Sequence, residues 1–440
     1  MVRDPDARMT RTTTEHVITR ARRVLRWLNE PLPPPPQRLR RGPLRPGAFP
    51  SPLRSARLTA VLGIALGVAF GVCFVTGVLS HLIQQPPGWF RWPSRPSGLY
   101  RFTQGLHVAT GLATFPLLGA KLWSVFPRLF AWPPVRHAAH GAERLAVAAL
   151  VSAALFQLVT GLLNITGRYA LMPFYFPAAH YWVAWLAMGA LLIHIGARLP
   201  TVRTALRRPP HGCATVSRPG AVAASGGPGI RAETPGETGD GPRRRLLIAA
   251  GAAAAVITVT TAGQTVRPLA GISLLAPRRP DDGPQGLPVN RTAAAAGVRD
   301  AALDPGYRLT VTGFGREVSL SLADLTGLRQ HTVRLPIACV EGWSATGTWS
   351  GVRLRDLAVL VGGDPGACVA VVESLQAAGR NRSSVVAPPH VADRLTLVAL
   401  RLGGEALALD HGFPARLIAP NRPGVMQTKW LTRITLRETR

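Results

Sequence analysis

The chain has 440 residues, a formal net charge of +29 at pH 7 and 47% hydrophobic residues. That length suits two or three domains. The placement of the charge excludes nucleic-acid binding: the basic residues flank long apolar runs, the pattern of membrane topology, and no recognition motif accompanies them. Four scattered cysteines, Cys73, Cys213, Cys339 and Cys368, show no CxxC spacing and argue against iron–sulfur clusters and structural zinc.

Residues 1–57 are arginine-rich and proline-rich and are expected to form a disordered basic cytoplasmic tail. Within it, Ile18 to Leu28 reads either as a basic amphipathic helix on a membrane surface or as a solvated segment. Residues 58–200 hold four apolar segments, near 58–83, 103–126, 145–165 and 178–199, each close to the roughly 20 residues that a bilayer core requires. Arg128, Arg136 and Arg144 follow the second segment, and Arg198, Arg203, Arg207 and Arg208 follow the fourth. The other two loops are less basic and carry Trp89, Phe90, Trp92, Tyr169, Phe174 and Tyr175. This asymmetry predicts a multi-pass protein of the cell membrane with a cytoplasmic N-terminus.

Residues 201–242 read as a cytoplasmic linker. Residues 243–265 open on Arg243-Arg244-Arg245 and continue into an alanine-rich apolar stretch, read either as a fifth span with a positive flank or as an internal twin-arginine-like export signal. Either reading places the remainder of the chain outside the cytoplasm, with 266–283 as a linker to a domain at 284–440. In that domain the sequence predicts strands at Tyr307–Val311, Val318–Leu322, Val333–Val340, Ala367–Val372, Leu395–Leu402, Ala415–Ile418 and Lys429–Leu436, with short helices at Asp324–Leu328 and Leu354–Leu360. The fold class is therefore multi-domain: an α-helical transmembrane bundle of four spans plus the fifth segment, then a mixed α+β, β-rich domain.

Within the last domain, the run Val333 to Ile337 delivers Cys339 into a turn rich in Glu341, Gly342, Trp343, Trp349 and Gly351. A lone thiol among tryptophans and glycines suits a soft metal ligand, with glycine admitting a bulky group close to the backbone. A disulfide to Cys368 and a plain buried thiol remain open on composition alone.

The stretch I-A-C-V-E-G-W-S-A-T-G-T-W-S-G-V-R-L, Ile337 to Leu354, resembles the molybdenum-ligand loop of the sulfite oxidase family of molybdopterin enzymes. D-H-G-F-P-A-R-L-I-A-P-N-R-P-G-V-M-Q-T-K-W-L-T-R-I-T-L, from Asp410, is similar to that family's second pterin-binding block. The resemblance covers roughly residues 284–440. It implies a molybdenum thiolate at Cys339 and a pterin phosphate held by His411, Arg416 and Lys429 with amides near Gly424. Asn290 and Arg291 are further candidates from an upstream segment, and Glu341 and Trp343 are expected to shape the pocket. The sulfite-oxidising branch has an arginine closely following its cysteine, whereas this chain offers none before Arg353, which argues against sulfite as substrate. The loop Asn381 to Ser384 falls where an aromatic near the metal is expected. A domain that folds around its cofactor before export also gives the twin-arginine machinery a role as partner.

Histidine inside an apolar span is a functional hypothesis by default. His81, His107 and His180 lie at similar depth near the outer ends of their spans, and His194 lies fourteen residues beyond His180. Their order resembles a four-helix membrane cytochrome b, in which facing imidazoles hold haem b. His107 and His180 are the expected pair, His81 competes with them, and His194 has no counterpart, because Lys121 occupies the matching position after His107. The combined arrangement resembles bacterial methionine sulfoxide reductase systems. It implies an enzyme that passes electrons from quinol through haem to an extracytoplasmic molybdenum centre and reduces a small-molecule S-oxide or N-oxide. Two alternatives stand: a dehydrogenase running in the opposite direction, and a non-catalytic membrane haem protein with a disulfide-linked outer binding module.

Overall fold

The structure is a computed structural model that describes residues 34, 36–40, 42, 44–45, 48–132, 134–207, 240–265, 267–278 and 281–439. The Ile18 to Leu28 segment, most of the basic tail, and the linker residues 208–239 with Cys213 lie outside the described residues.

Five long helices lead the described chain: α1 (Ala56–Gln84), α2 (Leu99–Val125), α3 (Ala138–Ile165), α4 (Phe176–Arg207) and α5 (Asp240–Ala262). Alanine, leucine and valine dominate them, and Ser55 starts α1 by accepting the amide of Leu58 at 3.1 Å. The pair Pro86-Pro87 follows the end of α1. Among the described residues these five are long and apolar enough to cross a membrane. Large apolar side chains stand exposed along them, including Val68, Val75, Leu145, Trp182, Leu186 and Ile193. The helices run past the ends of the predicted spans: α4 continues through Pro200 to Arg207, and α5 takes the arginine triplet into its first turns.

The chain divides into two compact units. One comprises the described residues of Met1–Val68, Phe115–Phe156 and Ala184–Ala253. Leu58, Leu62 and Ala250 are buried there against Ala120, Trp123, Leu246 and Leu247. The Lys121 ammonium donates to the Thr59 carbonyl at 2.6 Å, and Arg198 pairs with Glu143. This unit also collects Arg128, Arg136, Arg144, Arg203, Arg207 and Arg243 to Arg245.

The other unit comprises Ala69–Thr114, Gln157–Val183 and Ala254–Arg440 and holds two five-stranded sheets. The first has the order β2-β1-β10-β5-β6, from β1 (Arg308–Gly313), β2 (Arg316–Ser321), β5 (Cys368–Ser374), β6 (Ser383–Val386) and β10 (Leu431–Glu438). The second has the order β3-β4-β7-β8, from β3 (His331–Ala338), β4 (Ser344–Arg353), β7 (Leu397–Leu402) and β8 (Glu405–Ala406), with β9 (Arg416–Ile418) paired to β7. All pairings are antiparallel except β1 with β10. Strict alternation along β5 buries Cys368, Ala370 and Val372 and turns Val369, Val371 and Glu373 outward, as period two demands.

Each predicted strand and short helix of this domain has a counterpart within a few residues, but β4 and β6 fall where sequence reading expects turn and loop. Trp349 and Gly351 therefore sit on a strand rather than in the turn after Cys339. Gly351 marks a bulge in the β4–β7 pairing, where an added Cβ would collide with the Val398 carbonyl oxygen. Gly351→Ala is accordingly expected to force β4 and β7 apart and cost about 1–3 kcal/mol, read as a lower melting temperature.

Candidate active site

Strand β3 ends at Ala338 and hands Cys339 to a tight turn in which the Gly342 amide donates to the Cys339 carbonyl at 3.0 Å and the Cys339 amide to the Trp343 carbonyl at 2.9 Å. Gly342 has φ +90°, a left-handed conformation that glycine adopts without strain. The second motif reaches the same place through a bridge between Ala338 and Pro423, and a Cβ on Gly424 would lie 3.2 Å from Ile337.

One cavity is lined by Cys339, His411, Arg416, Lys429, Gly424 and Asn290, together with Leu287, Pro288, Ile337 and Trp343. Seven residues singled out from the sequence, Trp343 among them, thus line one cavity. Arg291 contributes differently: its carbonyl accepts from Lys429 at 2.7 Å while its guanidinium turns to Ala295. Ser383 and Ser384, from the expected aromatic position, form part of β6, where Ser384 bonds Thr428 instead of lining the cavity.

The cavity's electrostatics favour an anion. Arg416 is 4% exposed and has no ion-pair partner among the described residues. Its terminal nitrogens reach the carbonyls of His411 at 2.8 Å and Gln427 at 3.4 Å, and its buried Nε has no partner. Burial alone lowers its pKa to about 9. Lys429 is also held by carbonyls, those of Arg291 and Asp410, and burial, then the nearby Arg416, lower it to about 7. Two cations desolvated without carboxylate partners are costly unless an anion completes the site. That donor set fits a pterin phosphate. His411 is pushed down to about 4, first by burial, so its imidazole is neutral; since Nε2 donates to the Pro284 carbonyl at 2.6 Å, Nδ1 is left as an acceptor. A phosphate there would meet its positive charge in Arg416 and Lys429, with His411 beside them as a neutral ring.

Cys339 is 1% exposed, and neither it nor Cys368 is in a disulfide. The two thiols belong to different core clusters, which removes the bridge on which the outer binding-module alternative depends. Burial, followed by the Glu341 carboxylate, pushes the Cys339 thiol well above its usual range, while the amides of Glu341 and Val340 oppose the shift. Such a thiol ionises when a metal replaces its proton.

Sequence reading misses the collar around this turn. Arg278, from the expected linker, pairs with Glu341 at 3.2 Å. The Tyr169 hydroxyl donates to the other Glu341 oxygen at 3.2 Å, and Trp343 Nε1 donates to Glu341 at 3.1 Å. Gln104 and Asn164 both donate to the Val340 carbonyl, at 3.0 and 2.9 Å. Carboxamides inside apolar helices are a signal that points to them; nothing local marks Arg278.

In the same unit the His107 and His180 rings stand 6.5 Å apart with an interplanar angle of 74°. His107 Nδ1 donates to the Cys73 carbonyl at 2.8 Å, and His180 Nδ1 meets the Thr160 hydroxyl at 2.8 Å. A Cβ on Gly77 would lie 2.9 Å from the His107 ring, so glycine makes room for it. His81 stacks on Tyr181 at 3.6 Å, and His194 belongs to the other unit.

Residues 296–440 match the family model described as the oxidoreductase molybdopterin binding domain. Mitochondrial sulfite oxidase of Mus musculus is 28% identical over 162 residues, covering 30% of this chain and 30% of the relative. NAD(P)H nitrate reductase of Hordeum vulgare is 36% identical over 106 residues, covering 22% of this chain and 12% of the relative. Among solved structures, the sulfane dehydrogenase SoxCD from Paracoccus pantotrophus matches at 23% identity with a TM-score of 0.28, covering 31% of this chain and 39% of that one. The chain spans 30% of the length of the mouse sulfite oxidase it matches. With the two motifs converging on one cavity around Cys339, residues 296–440 are a molybdopterin-binding oxidoreductase domain of the sulfite oxidase type.

Proposed function

We propose that the chain is a membrane-anchored molybdopterin-dependent oxidoreductase in which α1 to α4 carry a b-type haem and the C-terminal domain reduces a small S-oxide or N-oxide with electrons from quinol. The observation that carries the enzymatic reading is the cavity joining the Cys339 thiol to Arg416 and Lys429. In it Cys339 supplies the protein's thiolate, and the two cations with the neutral His411 hold and orient the pterin. The cofactor, when bound, supplies the two-electron chemistry that removes the oxide oxygen. Arg278, the cation brought to the thiol turn, already has its charge met by Glu341, which favours a neutral oxide over an anion such as sulfite. The resemblance to methionine sulfoxide reductase systems points to the same substrate class.

The five apolar helices and their exposed apolar side chains support a membrane location. The arginines that follow the second and fourth apolar segments, Arg128, Arg136, Arg144, Arg198, Arg203, Arg207 and Arg208, support a cytoplasmic N-terminus and an extracytoplasmic molybdopterin domain, reached through α5 or the twin-arginine route. For haem, the His107 and His180 rings, 6.5 Å apart, would hold the iron between them. Each ring has Nδ1 engaged, which leaves Nε2 for iron.

Metal analysis of the detergent-purified chain, from cells that make the cofactor, is the test: about one molybdenum and one haem iron per chain are expected. Iron without molybdenum would sink the enzymatic reading. His107→Ala and His180→Ala are each expected to remove the haem absorbance and leave molybdenum in place; a spectrum unchanged in both variants would remove the haem assignment.

A further inference from the structure

The carbonyl oxygen of Val340, the residue after Cys339, is the point at which the helices grip the thiol turn. It accepts two hydrogen bonds, from Gln104 Nε2 on α2 at 3.0 Å and Asn164 Nδ2 on α3 at 2.9 Å, so both of its lone pairs are used. Neither amide is free to flip. The Val340 carbonyl can only accept, which turns each NH2 group toward it, and the Ser80 hydroxyl donates to Gln104 Oε1 at 3.1 Å. Gln104 is 5% exposed, so this geometry is locked by burial as well as by bonding.

Both amides lead back to the histidine pair within one helical turn. Gln104 precedes His107 by three residues and lies on the same helical face. Asn164 follows Thr160 by four, and Thr160 bonds His180 Nδ1 at 2.8 Å. A third contact lies beside them: a Cβ on Gly342 would come within 2.7 Å of Val108, the neighbour of His107. Each histidine thus has its own short path of covalent and hydrogen bonds, and the two paths meet on the residue bonded to Cys339.

We propose that Gln104 and Asn164, by sharing the Val340 carbonyl, form the route along which electrons pass between the His107–His180 pair and the thiol turn. Electron transfer through bonded and hydrogen-bonded atoms falls off far less steeply with distance than transfer across gaps, so two converging bonded paths set the rate. The proposal rests on the reading of His107 and His180 as haem ligands and of Cys339 as the molybdenum ligand. A quinol supplies two electrons and leaves as quinone with release of two protons. The S-oxide or N-oxide takes up two electrons and two protons and leaves as the reduced compound and water. Gln104 and Asn164 change no bond of their own; they are positioning residues.

The test is flash photoreduction of the haem in the full-length, detergent-purified holoprotein by a photoexcited flavin. Haem absorbance then follows the intramolecular passage of the electron to molybdenum and needs no substrate. Gln104→Leu, Asn164→Leu and the double variant keep side-chain volume and delete the donors. Each single variant is expected to slow haem reoxidation, and the double variant to slow it by about tenfold or more, with haem spectrum and metal content unchanged; the melting temperature falls as the Val340 carbonyl loses its donors, so the electron rate is the deciding readout. A merely structural contact would lower the melting temperature and leave the electron rate as it was. An unchanged rate in the double variant, with both cofactors present, overturns the proposal. Absence of any intramolecular phase in the unsubstituted protein overturns instead the electron-transfer reading beneath it.

Discussion

Cys339→Ser is expected to lower turnover by about 10³-fold or more while leaving most of the bound molybdenum in place, read by assay and metal analysis of the same preparation. The two readouts separate because, in the proposed site, one set of groups would hold the cofactor and another would ligate its metal. On the proposed reading Arg416, Lys429 and His411 would grip the pterin from the second motif, whereas Cys339 arrives from the end of β3. Serine keeps the shape of the site but offers a hard oxygen whose proton is far harder to displace than that of a thiol. At Cys339 the demand on the ligand is already high, because burial and the Glu341 carboxylate oppose ionisation. Retention of full turnover would remove the ligand assignment; loss of molybdenum together with turnover would show that the thiolate, not the cation pair, holds the cofactor.

What is legible in a sequence depends on whether the information is local. The five long helices are legible because hydropathy accumulates over a whole span, and β1 and β5 because period-two alternation on a half-buried sheet survives in the residue order. β4 is hidden because Gly347 and Gly351 look like turn residues. Their small size answers instead to close neighbours, Leu402 and Trp349 at the first and the β7 backbone at the second. Cys339, Arg416 and Lys429 are legible as a site only through the two motifs, and the structure adds that they line one cavity. Arg278, Tyr169, Gln104 and Asn164 lie far from the thiol turn in the chain, the last three at separations of 172, 236 and 176 residues from the groups they bond. Their meaning lies entirely in long-range contacts with Glu341 and Val340. His411 shows the same limit for chemistry: the residue is where the motif implies, but its neutral state follows from burial and from the Pro284 carbonyl it meets.

Arg416→Met gives the second large effect, and its sign reverses with the cofactor. On the proposed reading the substitution deletes, in the holoprotein, a buried guanidinium that would meet the cofactor's phosphate, including the Nε that has no partner among the described residues. Hydrogen bonds to charged groups are each worth about 1.5–3 kcal/mol. Loss of about 3 kcal/mol weakens cofactor binding by about 10²-fold, and molybdenum content after dialysis should fall to a small fraction of the parent value. In the cofactor-free protein the same change removes a desolvated cation that no carboxylate balances and puts an apolar chain of similar length against Trp349, over which the guanidinium lies at 5.1 Å. Replacing a buried charge by a packed apolar side chain is often neutral or stabilising, so the cofactor-free melting temperature should hold or rise even as that of the holoprotein falls. Arg416→Lys does not rescue binding, because a single ammonium cannot reproduce the fork that reaches His411, Gln427 and the phosphate together. A cofactor-free form that melts well below its parent would mean that Arg416 serves the fold and not the pterin, and the anion-binding role would pass to Lys429 alone.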